Sequence, residues 1–221
     1  MNEIKVHSSI KSEKIFLFDT ITELNIYGDS IPNKMFSCIM SLKQVSINSP
    51  ISSIGNYAFY DNLDLIQVSI SSSVTEIGDF AFSYCSSLTQ ITIPSSVTQI
   101  GNYTFRGCSS LTQITIPSSV TQIGYSAFSE CMSLTQITIP SSVISIGDLA
   151  FSLCSKLNQI TFESPSSLIF LGSYSFESCT SLNKIQFPSS LQIIEFNCFK
   201  NCLSLRNITI PGSLNYIGED A

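Results

Sequence analysis

The sequence is poor in charge, poor in histidine and free of long apolar runs, and each shortage removes a class of function. Only 12% of residues are charged, and the 16 acids against 10 bases give a net charge of -6. Nucleic-acid binding needs clustered lysine and arginine to neutralise phosphate, so that partner is excluded. Between Ser83 and Leu149 the only charged residues are Arg106, Glu130 and Asp148, which leaves the middle of the chain almost without a field to steer a charged ligand. The single histidine, His7, stands outside any regular pattern and reads as a solvated terminal residue rather than a general base. The acids Asp61, Asp64, Glu76, Asp79, Glu130 and Asp148 sit at variable loop positions. No stretch of about 20 apolar residues occurs, so no transmembrane helix is expected. The first residues, Met1-Asn2-Glu3-Ile4-Lys5-Val6-His7, lack the basic and apolar regions of a secretory signal. A glycine-rich phosphate loop and a G-x-S-x-G turn are both missing. Neither catalysis nor a cofactor is expected.

What the chain does have is a period. Hydrophobic residues make up 43% of the 221 residues, enough for a continuous core. Phenylalanines stand at Phe36, Phe59, Phe82, Phe105, Phe128, Phe151, Phe176 and Phe199, every 23 residues apart from one step of 25. Six residues after each comes a leucine, from Leu42 and Leu65 to Leu182 and Leu205. Aliphatic pairs such as Ile91/Ile93 and Ile114/Ile116 follow, then a glycine, from Gly55 to Gly172, with Glu195 breaking the series before Gly218. A recurrence of this length is the mark of a solenoid.

Each part of the unit has a physical reading. From Leu88 to Ile93 apolar and polar residues alternate, which predicts a short strand with one buried face. Pro94 ends it, because proline donates no ladder hydrogen bond. Ser95 and Ser96 turn the chain, and Val97 and Ile100 point back to the core. Gly101 suits a tight bend or a positive φ. Phe105 and Cys108, three apart, are placed on one face of a single helical turn. One such coil cannot bury its own apolar face, so coils must stack. The expected architecture is an α/β leucine-rich repeat solenoid with short parallel strands on the concave face and one short helical turn per 23-residue coil. Residues 31–221 form about eight regular units, the last incomplete. Residues 1–30 form an irregular N-terminal cap with a degenerate first repeat, in which Ile21, Leu24 and Ile26 match the strand pattern. Nine strands at roughly 4.8 Å give a stack on the order of 40 Å long.

The unit resembles the BspA-like, or Treponema-type, leucine-rich repeat, L-x-x-L-x-L-P-x-x-L-x-x-I-G-x-x-A-F-x-x-C. Leu111, Ile114, Ile116, Pro117, Val120, Ile123, Gly124, Ala127, Phe128 and Cys131 fit it nearly position for position. The resemblance implies a surface or adhesion protein that binds a protein partner, such as a host or extracellular-matrix component. An intracellular structural or assembly module is the alternative, since no signal peptide is present. An ice- or crystal-binding array is a third reading, which the glutamine beside each outward threonine counts against. Two departures stand out: Pro-Ser-Ser occupies the place where many leucine-rich repeats carry an asparagine or cysteine ladder, and two extra residues fall around Phe162-Glu163-Ser164-Pro165. That insertion is a candidate contact point.

Candidate chemistry narrows to one face. Cys85, Cys108, Cys131, Cys154, Cys179 and Cys202 each follow a ladder phenylalanine by three, so they read as buried small residues rather than metal ligands, with disulfides between coils left open. The sequons at Asn102 and Asn207 arise from the repeat itself. The outward strand positions Gln67, Ser69, Gln90, Thr92, Gln113, Thr115, Gln136, Thr138, Gln159, Thr161, Lys184 and Gln186 form a strip of glutamine and threonine. It is either a hydrogen-bonding platform for a polypeptide or simply a solvated sheet face. The last residues, Ile217-Gly218-Glu219-Asp220-Ala221, repeat Ile123 to Ala127 and stop short of the next phenylalanine, which leaves an uncapped coil open to end-to-end self-association.

Overall fold

The computed structural model describes residues 3–7 and 20–221, with side chains described from residue 20 onward. The chain winds as a solenoid whose coils have three sides. Two sides are short parallel strands and the third is a run of turns.

The first side carries the alternating segments. Glu3–His7, Glu23–Tyr27, Gln44–Ile47, Gln67–Ile70 and Gln90–Ile91 form one parallel sheet. Gln136–Ile139, Gln159–Phe162, Lys184–Gln186 and Asn207–Thr209 form another. Pairing is repeat on repeat, with Gln44 beside Gln67 and Gln136 beside Gln159. Val45, Val68, Ile91, Ile114, Ile137, Ile160 and Ile185 therefore stack inside while their polar neighbours face out. In the unit that precedes the regular coils, Ile21, Leu24 and Ile26 are buried. Glu3–His7 adds one strand more, paired with Glu23–Tyr27 along its length; the side chain of His7 lies outside the described residues. The row is not one unbroken sheet. At residues 111–116 it narrows to a single bridge, Thr92 to Thr115. Leu88–Pro94, Leu111–Pro117 and Leu134–Pro140 share one heptapeptide, so the local sequence does not encode this gap.

The second side is also stranded, where the sequence had indicated only a turn returning to the core. Two-residue strands such as Ser53–Ile54, Gln99–Ile100 and Ser145–Ile146 stack in parallel in two sheets, each but the last, Tyr216–Ile217, turning its second residue inward. Between the two sides the second serine of Pro-Ser-Ser works as a ladder. Ser119 Oγ donates to Val97 O (2.5 Å), Ser142 Oγ to Val120 O (2.6 Å) and Ser190 Oγ to Leu168 O (2.7 Å), each one coil back.

The third side corrects the expected helical turn. No helix is present among the described residues. Tyr103 and Gly107, two residues before and after Phe105, have φ of 57° and 72°, and the same pair of positions is left-handed in every coil from Lys34/Cys38 to Asn197/Asn201. A helix needs consecutive right-handed residues, so these two positions break it. Alternate amides instead reach the next coil: Tyr103 N to Tyr125 O (2.8 Å), Phe105 N to Ala127 O (2.9 Å) and Gly107 N to Ser129 O (2.8 Å). The amides between them close local turns, as Arg106 N does to Tyr103 O (3.1 Å). The spacing explains the choice. Successive ladder phenylalanines stack with centroids 5.2–5.8 Å apart. A helix about 10 Å across does not fit that interval.

The repeat glycines from Gly55 to Gly172 likewise serve closeness rather than a positive φ, which Gly107 has and they do not. A Cβ on Gly124 would lie 2.8 Å from the Gly101 carbonyl carbon, and one on Gly147 would lie 2.9 Å from that of Gly124. The core is the stack of these coils. Seven ladder phenylalanines, Phe36 to Phe176, and the leucines from Leu42 to Leu182 are fully buried. Each such side chain contributes roughly 1.5–3 kcal/mol, and almost all of it depends on the adjacent coil.

Candidate functional site

The cysteines are the one row of reactive groups in the repeat, and their geometry makes them structural. Each thiol donates to the phenylalanine carbonyl of the coil before it: Cys85 Sγ to Phe59 O (3.2 Å), Cys108 to Phe82 O (3.3 Å), and so on to Cys202 and Phe176 O (3.1 Å). Burial raises the thiols well above their ordinary range, Cys85 and Cys198 to about 12 and Cys202 to about 11. A thiol held protonated is neither nucleophile nor metal ligand. All eight cysteines are unpaired, Cys38 alone is exposed, and no group of three metal-ligating side chains occurs among the described residues. Asn62 takes the cysteine position one coil earlier. It is fully buried and accepts from Ile39 N while donating to Phe36 O and Phe59 O.

The outward strip is where open functional groups collect. Gln67, Ser69, Gln90, Thr92, Gln113, Thr115, Gln136, Thr138, Gln159, Thr161, Lys184 and Gln186 are all exposed, and lie on one face because the pairing is in register. Lys184 stands directly beside Gln159. The two-residue insertion rises next to this strip, at the end of the strand Gln159–Phe162. Glu163 N is held by Ile139 O (3.0 Å), and Glu163 Oε2 accepts from Ser141 N (3.1 Å). These bonds fix the insertion as a wall rather than a loose loop. A cleft of about 920 Å³ lies between it and the strip, lined by Gln159, Thr161, Lys184 and Gln186 on one side and by Glu163 to Ser166 on the other. A smaller hollow of about 260 Å³ lies further along, between Gln113, Thr115, Gln136, Thr138 and the same Glu163. The insertion and the strip, separate in the sequence, line one cleft. Glu163 and Lys184 have no ion-pair partner among the described residues. The cleft therefore offers amides and hydroxyls, with one ammonium and one carboxylate outside any ion pair among the described residues.

A second feature has no counterpart among the expectations from sequence. On the turn edge, Tyr57, Phe80 and Tyr103 stack at 4.5 and 4.2 Å, with Tyr125 tilted against the end at 5.0 Å. Arg106 lies over Tyr84 and Tyr103 at 5.6 and 5.7 Å and binds Glu130 Oε1 through Nε (3.0 Å) and Nη2 (2.8 Å). Burial works against that charge, but the Glu130 hydrogen bonds and carboxylate prevail and hold the guanidinium above its ordinary value. The signal is present in the chain: Tyr57, Phe80 and Tyr103 each stand two residues before a ladder phenylalanine. A ladder of Asx side chains beside them is legible in the same way, as Gly-Asn and Gly-Asp pairs. Asn56 Oδ1 accepts from Asp79 N, Asp79 Oδ1 from Asn102 N, and Asn102 Oδ1 from Tyr125 N.

Comparison with known proteins agrees with this geometry. The description "BspA type Leucine rich repeat region" matches residues 29–158 and 122–221, in six copies. No curated protein matches the chain. Among solved structures, a leucine-rich repeat protein of Bacteroides ovatus is 27% identical with a TM-score of 0.79, covering 98% of this chain and 57% of its own. The Treponema pallidum leucine rich repeat protein is 27% identical with a TM-score of 0.69, covering 82% and 83%. A leucine rich cell surface protein of Faecalibacterium prausnitzii is 26% identical with a TM-score of 0.58, covering 95% and 71%. This chain thus spans little more than half the length of the Bacteroides ovatus protein. With its period, its ladders and its matched residues in agreement, the chain belongs to the BspA-type leucine-rich repeat family.

Proposed function

We propose that the chain is a non-enzymatic scaffold that binds a protein partner through the Gln/Thr face, with the cleft beside Glu163 as its anchor. The observation that supports this reading is the coincidence of the two-residue insertion with the larger hollow on the strip. A polypeptide carries backbone donors and acceptors along its length, which amide and hydroxyl rows can meet. With few charges to strip of water, the face loses little on being covered. Replacing Gln113, Thr115, Gln136 and Thr138 by charged residues, and separately Gln159 and Gln186, is expected to abolish capture of the partner from an extracellular-matrix extract without changing the circular dichroism. Retained capture in both variants rules the face out. The Faecalibacterium prausnitzii relative is described as a cell surface protein, and we extend that location and a host or matrix partner to this chain. Antibody staining of intact cells tests it; staining only after permeabilisation favours the intracellular assembly role.

A further inference from the structure

The cleft beside the insertion is charged at its two ends and neutral between them. Lys184 and Glu163 both line it, with Thr161 and Gln186 in its middle. Neither charge belongs to the ordinary repeat. In the preceding coils the position of Lys184 is held by glutamine, from Gln44 and Gln67 to Gln136 and Gln159. Glu163 follows directly after its strand, where Pro94, Pro117 and Pro140 stand in other coils. Glu163 N still meets Ile139 O (3.0 Å), as Ser71 N meets Ile47 O (3.0 Å), so Glu163 continues the line of the strand.

The register sets the distance between the charges. Lys184 pairs with Gln159, and Glu163 lies four residues further along the Gln159 strand. Gln159, Thr161 and Glu163 are exposed, whereas Ile160 is buried and Phe162 half-buried, so the three face out together. Four residues at about 3.3 Å place Lys184 and Glu163 about 13 Å apart along the strand direction and one coil apart across it. Both are exposed, and neither is in an ion pair among the described residues. Glu163 Oε2 accepts from Ser141 N (3.1 Å), which positions the carboxylate without neutralising it. Wider charge has the same polarity. Lys156 and Arg206 are exposed and stand just before the strands Gln159–Phe162 and Asn207–Thr209, in the coils on either side of Lys184. Three bases thus gather toward the strand starts, and one acid stands at the strand end.

We propose that the cleft recognises an extended partner segment carrying an acidic side chain and, four residues away, a basic one, the acid meeting Lys184 and the base meeting Glu163. The inference rests on the Gln/Thr face being a polypeptide platform and names what that platform selects. Alternate residues of an extended chain share one face, so side chains four apart are separated by about 13 Å and point the same way. The side chain between them lies over Thr161 and Gln186. A segment of one charge sign meets repulsion at one end of the cleft, which selects against it.

The test uses the full chain, labelled for amide resonances, at low salt. The probes are the capped pentapeptides acetyl-Asp-Thr-Val-Thr-Lys-amide and acetyl-Lys-Thr-Val-Thr-Asp-amide, which present the pair in both chain directions. Two controls accompany them: the neutral acetyl-Asn-Thr-Val-Thr-Gln-amide, and acetyl-Thr-Asp-Lys-Val-Thr-amide, which has the same composition with adjacent charges. The expected result is saturable binding of at least one spaced peptide in about the millimolar range, centred on Thr161, Glu163, Lys184 and Gln186. Both controls bind about threefold to tenfold more weakly, and added salt removes the difference. Lys184→Gln and Glu163→Gln each weaken the spaced peptide by about threefold to fivefold. Neither variant threatens the fold: glutamine is the residue that earlier coils carry at the Lys184 position, and at 163 its carbonyl oxygen can still accept from Ser141 N. Equal binding of the neutral or adjacent-charge peptide at the same amides, or unchanged affinity in both variants, overturns the charged pair and leaves the face as a peptide platform. Absence of saturable binding by either spaced peptide also overturns the pair, while the face itself is judged by partner capture in its own Gln/Thr variants.

Discussion

Replacing Asn62 by alanine removes three hydrogen bonds from a place that solvent does not reach. Asn62 Oδ1 accepts from Ile39 N at 2.6 Å, and Nδ2 donates to Phe36 O at 2.8 Å and Phe59 O at 3.0 Å. Phe59 O keeps a partner in Cys85 Sγ. The Ile39 amide and the Phe36 carbonyl do not, and a buried polar group left unpaired costs about 1–3 kcal/mol. Two such groups set a range of about 2–6 kcal/mol. The cost falls toward the lower end, because other coils show how these two groups can pair with each other: Cys108 N donates to Phe105 O at 3.2 Å in the equivalent place. A loss of about 2–4 kcal/mol is therefore expected for Asn62→Ala. Asn62→Cys restores the donor to Phe36 O that the other coils use and is expected to lose only about 1 kcal/mol. Equilibrium urea unfolding gives the magnitudes, and hydrogen exchange gives the location. Solenoid stability is carried by nearest-neighbour contacts, so lost protection should concentrate in the coils of Phe36 and Phe59 and spare that of Phe151. Alanine within about 0.5 kcal/mol of the parent, or an even loss along the stack, would refute the reasoning.

Thr104 is fully buried and its Oγ1 has no hydrogen-bond partner, in a row where Ala58, Ala81, Ala127 and Ala150 stand in other coils. Thr104→Val keeps the shape and removes the unpaired hydroxyl, so urea unfolding should show a gain of about 1 kcal/mol; a loss would mean that the hydroxyl is satisfied. Stability should be flat at neutral pH and fall steeply above about pH 9. The buried thiols stay protonated in the folded chain, up to about 12 for Cys85, whereas the unfolded chain releases those protons near the ordinary value of 9.0. Between those values the unfolded state binds fewer protons, so each step up in pH favours unfolding. A combined Cys108→Ala, Cys131→Ala and Cys154→Ala variant should have a shallower alkaline slope, and an unchanged slope would count against the thiols as its cause. Gly124→Ala places a methyl against the Gly101 backbone at 2.8 Å and should cost about 1–3 kcal/mol in the same assay, with a neutral result showing that adjacent coils can part.

The sequence revealed the stack far better than the path of the chain within each coil. Side chains that meet their own kind one period later, such as the phenylalanines and leucines, announce the stack through their spacing alone. The backbone of the third side gives no such sign. Its left-handed residues include Tyr57, Phe80, Tyr103 and Leu149, and only Gly107, Asn197 and Asn201 among them are glycine or asparagine. They are held there by hydrogen bonds to the next coil, a tertiary cause that overrides local preference. The cleft was half legible: the insertion was visible as a step of 25, and the strip as an alternation. That one leans over the other depends on Glu163 reaching Ser141, a contact 22 residues apart.

A strict repeat contains its own control, and that property locates function here. A residue that recurs from coil to coil is one the stack itself uses, because every inner coil meets the same neighbours, and a single-coil residue such as Asn62 serves it only where it replaces a recurring one. Phenylalanine, leucine and cysteine recur, and their geometry accounts for them completely. A residue that occurs in one coil and not in the next is, by the same logic, not demanded by the stack. Glu163 to Ser166, Lys184 and Asp61 fall in this second set. Glu163 to Ser166 and Lys184 are also residues that line the cleft. The positions at which the coils differ, rather than those at which they agree, are therefore where the proposed partner surface is to be sought.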